Sequence, residues 1–302
     1  MNKEIIVSIC CATYNHQKYI RDAIEGFLMQ KTTFPFEILI HDDASTDGTA
    51  DIIREYEAKY PDIIKPIYQT ENQYSKGINP YIAFVYPRAQ GKYIALCEGD
   101  DYWIDPLKMQ KQVDFLEANP EFSMCFHNAM LVYEGREDLN KPFKKIETRE
   151  YTGEEILKEW TIPTASVIFR MDAYKPVHHP DFMYGDIILF LSLAENGKIW
   201  GMYEIMGAYR KHEGSMTSPN KNSLLKALKF IKHHEAIKEH FGSKYEQIEN
   251  EILSKAYIGL SKKQLKKCNL KFIKSLIVAY KQEPSKFRKH VLLSYLKIIR
   301  EK

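Results

Sequence analysis

Apolar residues in the first 133 positions gather into short runs separated by amphipathic stretches. The runs at 5–13, 36–41, 63–68 and 92–97 have the length and β-branched character of buried strands. Between them, 18–30, 50–60, 80–89 and 105–119 repeat apolar positions at three- and four-residue spacing, the period of a helix packed on one face. Ser45, Thr46 and Asp47 offer cap oxygens ahead of the 50–60 helix, and Asp105-Pro106 opens the one ending near 119. Alternation of this kind predicts an α/β fold with a mostly parallel sheet flanked by helices. Further on, the pattern predicts a strand at 122–126, a charged surface excursion over 135–149, a strand at 166–170, a helix over 187–196 and a strand at 199–205. Beyond 218 only helical patterning remains, with Leu224/Leu225/Leu228, Phe272/Ile273/Leu276/Ile277/Tyr280 and Leu292/Leu293/Leu296/Ile299 at helical spacing.

This pattern divides the 302 residues into an α/β domain over 1–218 and a helical region over 219–302. Charge sharpens the division. Residues 221–302 hold 20 Lys and Arg against 7 Asp and Glu, a balance of +13, whereas residues 1–220 carry −10, and the whole chain only +3. A basic helical region on an acidic body fits contact with an anionic surface, a lipid headgroup layer rather than nucleic acid, for which the region has no recognition motif; it fits equally a helical subdomain packed on the body and basic because Lys is a good helix former. No window approaches the ~18 consecutive apolar residues of a membrane span. The apolar run after Lys3 passes straight into Thr13-Tyr14-Asn15-His16, so it is expected to be a first strand and not a leader. The five cysteines (10, 11, 97, 125 and 268) lack metal-type spacing, and most sit in strand-like runs, as expected of small core residues in a reducing cytoplasm.

The chemistry-bearing residues cluster where strands are expected to end. Glu98-Gly99-Asp100-Asp101 follows the apolar run 93–97 and sets three carboxylates within four residues. Carboxylates this close repel unless a cation or water relieves them, and Mg²⁺-like ions favour one or two carboxylates plus phosphate oxygens. A second acidic pair, Asp42/Asp43, ends the strand at 36–41, and Thr13-Tyr14-Asn15 ends the first strand. Carboxyl ends of strands are where open α/β sheets bind ligands. Each feature alone also fits a turn or a helix cap.

The ordered set Ala12-Thr13-Tyr14-Asn15, Asp42-Asp43-Ala44-Ser45-Thr46-Asp47-Gly48-Thr49 and Glu98-Gly99-Asp100-Asp101 resembles the family 2 glycosyltransferases (GT2), which have the GT-A, Rossmann-like fold. The resemblance spans about residues 5–215. It implies an inverting transfer from a nucleotide-diphosphate sugar, UDP being the usual nucleotide, with a divalent cation, Mn²⁺ or Mg²⁺, as cofactor. Carried over, Thr13, Tyr14, Asn15 and Asp42 lie around the nucleotide. Asp101 is the metal ligand and Asp100 lies nearer the ribose or sugar. Glu98, where many relatives have Asp, touches the sugar or holds the loop.

By the same resemblance Asp186, in Met183-Tyr184-Gly185-Asp186-Ile187, matches the general base that takes the acceptor proton, with Asp181 a weaker substitute. An N-cap role competes for Asp186. Tyr209-Arg210-Lys211-His212 resembles a segment reaching back to the diphosphate, with Arg210 offsetting its charge and His212 a further metal ligand. Trp103 is an acceptor-site candidate, Trp160 an ambiguous aromatic, His127-Asn128 polar groups past a strand, and His233-His234 ordinary helix residues. The expected acceptor is a saccharide or lipid-linked saccharide of a bacterial-type surface polysaccharide such as O-antigen, capsule or lipopolysaccharide. The expected location is cytoplasmic, peripheral on the inner face of the plasma membrane. A catalytically silent sugar-nucleotide-binding scaffold competes with this reading, and a nucleotidyltransferase competes less well because no Gly/Lys-rich phosphate loop occupies 13–18.

Overall fold

A computed structural model describes residues 4–159, 161–212, 224–266, 271–286 and 295. The chain divides into two compact units, one formed by 1–176 with 189–215, the other by 177–188 with 216–302. Residues 177–188 cluster with the helical unit.

The first unit is built from β1 (Val7–Thr13), α1 (Ile20–Leu28), β2 (Phe36–Asp42), α2 (Thr49–Lys59), β3 (Ile64–Tyr68), β4 (Tyr93–Leu96), β5 (Tyr102–Trp103), α3 (Lys108–Ala118), β6 (Phe122–Tyr133), β7 (Lys141–Pro142), β8 (Arg149–Tyr151), α4 (Gly153–Lys158), β9 (Ile168–Arg170), the later part of α5 (Gly185–Asn196) and β10 (Lys198–Lys211). The sheet runs β3-β2-β1-β4-β9-β6-β10-β5, with β7 on β6 and β8 on β10. β1 is parallel to β2 and β4, β2 to β3, and β6 to β10. Short β9 lies antiparallel between β4 and β6, so those two strands point the same way. Six strands thus bring their carboxyl ends to one edge, and the reversed strands are short. The sheet is mixed rather than wholly parallel, yet its ligand edge is that of a parallel sheet.

Several predicted elements differ in extent for physical reasons. The expected helix over 80–89 is a π-type turn, Tyr81–Val85, followed by a 3-10 turn, Tyr86–Arg88. Pro87 sits inside this stretch and cannot donate to a regular ladder. β6 and β10 run far past their predicted ends because they pair with each other, and a partner strand leaves no signal in either one's own pattern. α2 has Gly48 as its N-cap, with no side-chain cap bond; Asp47, one residue earlier, accepts the Thr49 amide at 2.9 Å. The core joins Ile9, Ile24, Phe27, Ile38, Ile40, Tyr93 and Trp103, all buried. On β1, Ser8 Oγ donates to buried Glu37 (2.6 Å) and accepts the Gly91 amide (2.8 Å), while the same Glu37 oxygen accepts the Gln90 amide (2.8 Å).

The second unit contains α6 (Leu224–Phe241), α7 (Glu246–Lys266) and α8 (Lys271–Gln282). α6 and α8 both pack on α7 through two apolar clusters, one around Ile231, Leu253 and Leu260, the other around Ile258, Ala279 and Tyr295. Buried His234 is hydrogen-bonded to buried Glu249 at 2.9 Å, tying α6 to α7. The predicted helical face at Leu292/Leu293/Leu296/Ile299 lies outside the described residues, as do Trp160 and Cys268. Cys10, Cys11, Cys97 and Cys125 are buried free thiols. Among the described residues no helix is long and apolar enough to cross a membrane.

Candidate active site

Thr13 ends β1, Asp42 ends β2, and Glu98-Gly99-Asp100-Asp101 follows β4. β1 lies between β2 and β4, so these groups stand side by side on the ligand edge. Gly99 is required there: a Cβ at this position would lie 2.5 Å from Thr13 Oγ1. Thr13 is buried and its hydroxyl has no hydrogen-bond partner among the described residues. Asp42 is 2% exposed; one of its carboxylate oxygens accepts the Ser45 amide (3.2 Å) and the other, also buried, has no partner there. Buried polar atoms left unpaired are costly, so both fit a ligand's hydroxyl or N–H.

Around them the loops are locked to one another. Asn15, in the left-handed region at φ 55°, accepts the Thr46 amide through its side chain (2.8 Å), and its own amide donates to Ser45 Oγ (2.9 Å). The Asn15 side chain therefore clips the β1 loop to the β2 loop, while Tyr14 beside it is exposed. Asp43, on the other hand, accepts the amides of Gln73 (2.8 Å) and Tyr74 (3.0 Å) and so anchors the segment after β3.

The last strand supplies the cationic side. The Arg210 amide donates to Asp101 at 2.8 Å, and its guanidinium reaches Asp22 (2.7 Å) while lying between the rings of Tyr19 and Tyr102. Arg210 Nη1 is buried without a partner among the described residues. His212 Nε2 lies 3.1 Å from Asp100 and His16 Nε2 3.9 Å from the same carboxylate. Burial pushes the Asp101 carboxyl well above the usual carboxylate range, and its neighbours Asp100 and Glu98 add to the rise. Burial acts on Asp100 too, but the hydrogen bond from His212 and the two imidazoles outweigh it and hold its carboxyl low. His16 is itself pushed down by burial.

No trio of His, Cys, Asp or Glu among the described residues is arranged as a ready metal cage. The carboxylates nonetheless suit a divalent ion. Burial and, after it, the negative charge of Asp100 and Glu98 hold Asp101 protonation-prone; a cation would relieve that charge, and such ions complete their shell with phosphate oxygens and water. His212 stands at Asp100 rather than against Asp101.

In the second unit, Asp186 begins α5 and its Oδ1 accepts the Ile187 amide at 2.9 Å. Burial raises its carboxyl above the ordinary range. The segment before it is held by α6: the Met183 amide donates to His233 Nδ1 (3.1 Å), Tyr184 packs edge-on to that ring, and Lys232 pairs with Asp181 (3.2 Å). His233 is fully buried and burial pushes it down to about 3, with His234 beside it adding to the drop. It is therefore neutral and can accept.

Two aromatic and polar candidates face the core instead of a ligand. Trp103 is 2% exposed, its indole N–H donates to the Ala165 carbonyl (2.7 Å), and Lys108 Nζ lies 3.8 Å from its ring centroid. Its backbone packs on Gly26, where a Cβ would stand 2.9 Å from the Trp103 nitrogen. It therefore offers no ring face to a saccharide. His127 and Asn128 lie inside β6, buried, with Asn128 donating to the Lys144 carbonyl (2.8 Å). Sequence reasoning passed over His16 and Tyr19 as site residues, and took Asp43 as half of an acidic pair where the structure shows an anchor for the Gln73 and Tyr74 amides. His16 was legible as the last polar residue of the Thr13–His16 stretch, but Tyr19 reaches Arg210 through folding alone.

A parallel ligand edge carrying acids from β2 and β4 and cations from β10 defines a GT-A-type fold. The family model described as glycosyl transferase family 2 matches residues 8–175, and the chain belongs to that family. An uncharacterized Mycobacterium tuberculosis protein is 40% identical over 207 residues, 68% of this chain and 59% of that protein. The chain thus spans about six tenths of the length of this relative and of its Mycobacterium counterparts. The putative teichuronic acid biosynthesis glycosyltransferase TuaG of Bacillus subtilis is 31% identical, covering 72% of this chain and 83% of TuaG. The Escherichia coli UDP-Glc:alpha-D-GlcNAc-diphosphoundecaprenol beta-1,3-glucosyltransferase WfaP is 30% identical, over 77% of this chain and 90% of WfaP. Among solved structures, S. aureus TarS in complex with UDP-GlcNAc matches with a TM-score of 0.58 at 18% identity, over 93% of this chain and 91% of that one. The Pyrobaculum calidifontis mannosyltransferase PcManGT, in complex with GDP-Man and Mn²⁺, matches with a TM-score of 0.56 at 14% identity, over 100% of this chain and 82% of that one.

Proposed function

We propose that the protein is an inverting glycosyltransferase that moves a sugar from a nucleotide-diphosphate donor, a UDP-sugar, to a saccharide or lipid-linked saccharide of a surface polysaccharide. The observation that carries this is the ligand edge itself. Asp42 and Thr13 hold unpaired buried polar atoms there, beside the mutually repelling Asp100 and Asp101 and the Arg210 guanidinium with its unpaired Nη1. WfaP, named for UDP-Glc and a diphosphoundecaprenol-linked acceptor, supports the donor and acceptor classes.

In this reading Asp42 and Thr13 bind the nucleoside, with exposed Tyr14 offering a ring face to the base. Asn15 holds their loop, and Glu98 borders the sugar. Asp101, with Asp100 and His212 beside it, would hold a Mn²⁺ or Mg²⁺ ion, which supplies positive charge to the diphosphate. Arg210 neutralises the same leaving group from the protein side. Asp186 takes the acceptor hydroxyl proton; the acceptor oxygen bonds to the anomeric carbon from the face opposite the nucleotide, and the C–O bond to phosphate breaks with its electron pair leaving on the nucleoside diphosphate. The basic helical region lies on an anionic surface that presents the acceptor. Asp181, bound to Lys232, is not the base in this reading.

The deciding experiment is donor binding and hydrolysis across a panel of nucleotide sugars with Mn²⁺, Mg²⁺ or EDTA, repeated on Asp101→Ala. One donor is expected to bind in a metal-dependent way, with the variant losing about 10²–10³-fold in turnover. Absence of binding to every donor overturns the transferase reading and leaves a protein that has kept the fold without the reaction.

A further inference from the structure

α8, Lys-Phe-Ile-Lys-Ser-Leu-Ile-Val-Ala-Tyr-Lys-Gln, carries more apolar surface than its packing covers. It buries Ser275 and Ala279 and half-buries Phe272 and Leu276 against the apolar cluster, yet Ile273, Ile277 and Tyr280 are 50%, 52% and 54% exposed. Their spacing of four and three residues lines them into one stripe. Ser275 and Ala279 explain the covered side, because small side chains let α8 lie close on α7. Nothing in that packing requires isoleucine on the opposite side. The adjoining stripe carries Lys274 and Lys281, both exposed and seven residues apart, and the helix contains no acid. An apolar stripe edged by lysines is the pattern of a helix lying in a headgroup layer, apolar side in the acyl boundary and amines among the phosphates. α6 also exposes leucines, Leu225 and Leu228, but Glu235 and Glu239 break its positive charge.

We propose that this face of α8 docks the protein on an anionic lipid bilayer, with Ile273 and Ile277 entering the interface and Lys274 and Lys281 contacting lipid phosphates. The proposal deepens the proposed contact with an anionic surface and rests on that reading. A second copy of the chain is the less fitting occupant. A two-fold contact through the stripe would bring the same lysines together with no acid on the helix to answer them.

The test uses the full chain and its co-sedimentation with vesicles of phosphatidylglycerol and phosphatidylcholine, against vesicles of phosphatidylcholine alone, at low and high salt. The wild type is expected to partition onto the anionic vesicles and to be released by salt. Ile273→Ser with Ile277→Ser should weaken partitioning about tenfold at every salt concentration. Lys274→Glu with Lys281→Glu should abolish the preference for anionic lipid. Thermal unfolding unchanged in both variants shows that the fold is intact, which is expected for substitutions at exposed positions. Equal partitioning of wild type and variants, or none by the wild type at low salt, overturns the proposal. So does a wild-type dimer in sedimentation velocity that becomes monomeric in the isoleucine variant without any vesicle binding. Binding of soluble nucleotide sugar, measured without vesicles, separates the two readings: its loss counts against the transferase, and its retention beside failed vesicle binding counts against α8 alone.

Discussion

At the scale of single residues, burial sets the chemistry. Asp186 is held above the ordinary carboxylate range by burial, so its basic form is reached only at higher pH than for a solvated aspartate. The transfer rate is therefore expected to fall as pH drops through a value above that range, and Asp186→Asn should lose about 10²–10⁴-fold in kcat with donor affinity unchanged. Pre-steady-state donor binding beside a pH profile checks both; a variant with full turnover would remove Asp186 from the reaction. Lys108 poses the opposite problem. Its amine is fully buried over Trp103 without a hydrogen-bond partner among the described residues, and burial lowers it to about 7 from an ordinary 10.5. The folded state then binds fewer protons than the unfolded one between those values, so stability should rise with pH across about 7 to 10.5. Denaturant midpoints measured over that window should show the rise in the wild type and a flatter profile in Lys108→Met.

Elements decide which residues meet. His233, on α6, accepts the Met183 amide three positions before Asp186, and its ring is boxed by Phe182 and Tyr184. The segment bearing the proposed base is thus set by a helix more than 30 residues further along the chain. His233→Leu would leave a part-buried amide without its acceptor, at a cost of about 1 kcal/mol. It should lower kcat about tenfold or more while donor affinity stays, because a misplaced base costs rate and not binding. His233→Asn keeps an acceptor on a short side chain and should recover much of that loss. Equal kcat in the leucine variant would show that the segment needs no such hold. Among the strands, β10 matters most: its length carries Arg210 to the ligand edge and His212 just past its end, against acids from β4.

For the whole molecule, the residues proposed for the nucleotide side, Thr13, Asp42, Asp101 and Arg210, all belong to the first unit, and Asp186, the proposed base, to the second. A nucleotide should therefore stabilise the first unit: at a hundredfold excess over its Kd the gain is about 2.7 kcal/mol. Calorimetry with UDP and Mn²⁺ is expected to raise the unfolding temperature of that unit, with the rise lost in Asp101→Ala. Charge divides along a nearby line, at 220: the acidic balance of residues 1–220 includes the ligand-edge carboxylates, and the basic one belongs to residues 221–302.

Local pattern sufficed for a good deal of this protein. The alternation of strand and helix periods, the acids placed at Asp42 and Asp100/Asp101 and the basic helical region are all written in short stretches of sequence. They were legible because they depend on neighbours a few residues apart. What depended on distant partners was decided only on folding. The extra length of β6 and β10 comes from their mutual pairing. Trp103 passed from the neighbourhood of the acidic motif into the core because Gly26, Ala165 and Lys108 close around it, residues that no local pattern links to it. His233 gained its hold on Met183, and α8 turned isoleucines outward, for the same reason: a side chain's environment is set by whichever segments pack against it, and amphipathic spacing alone does not say which face of a helix will be covered.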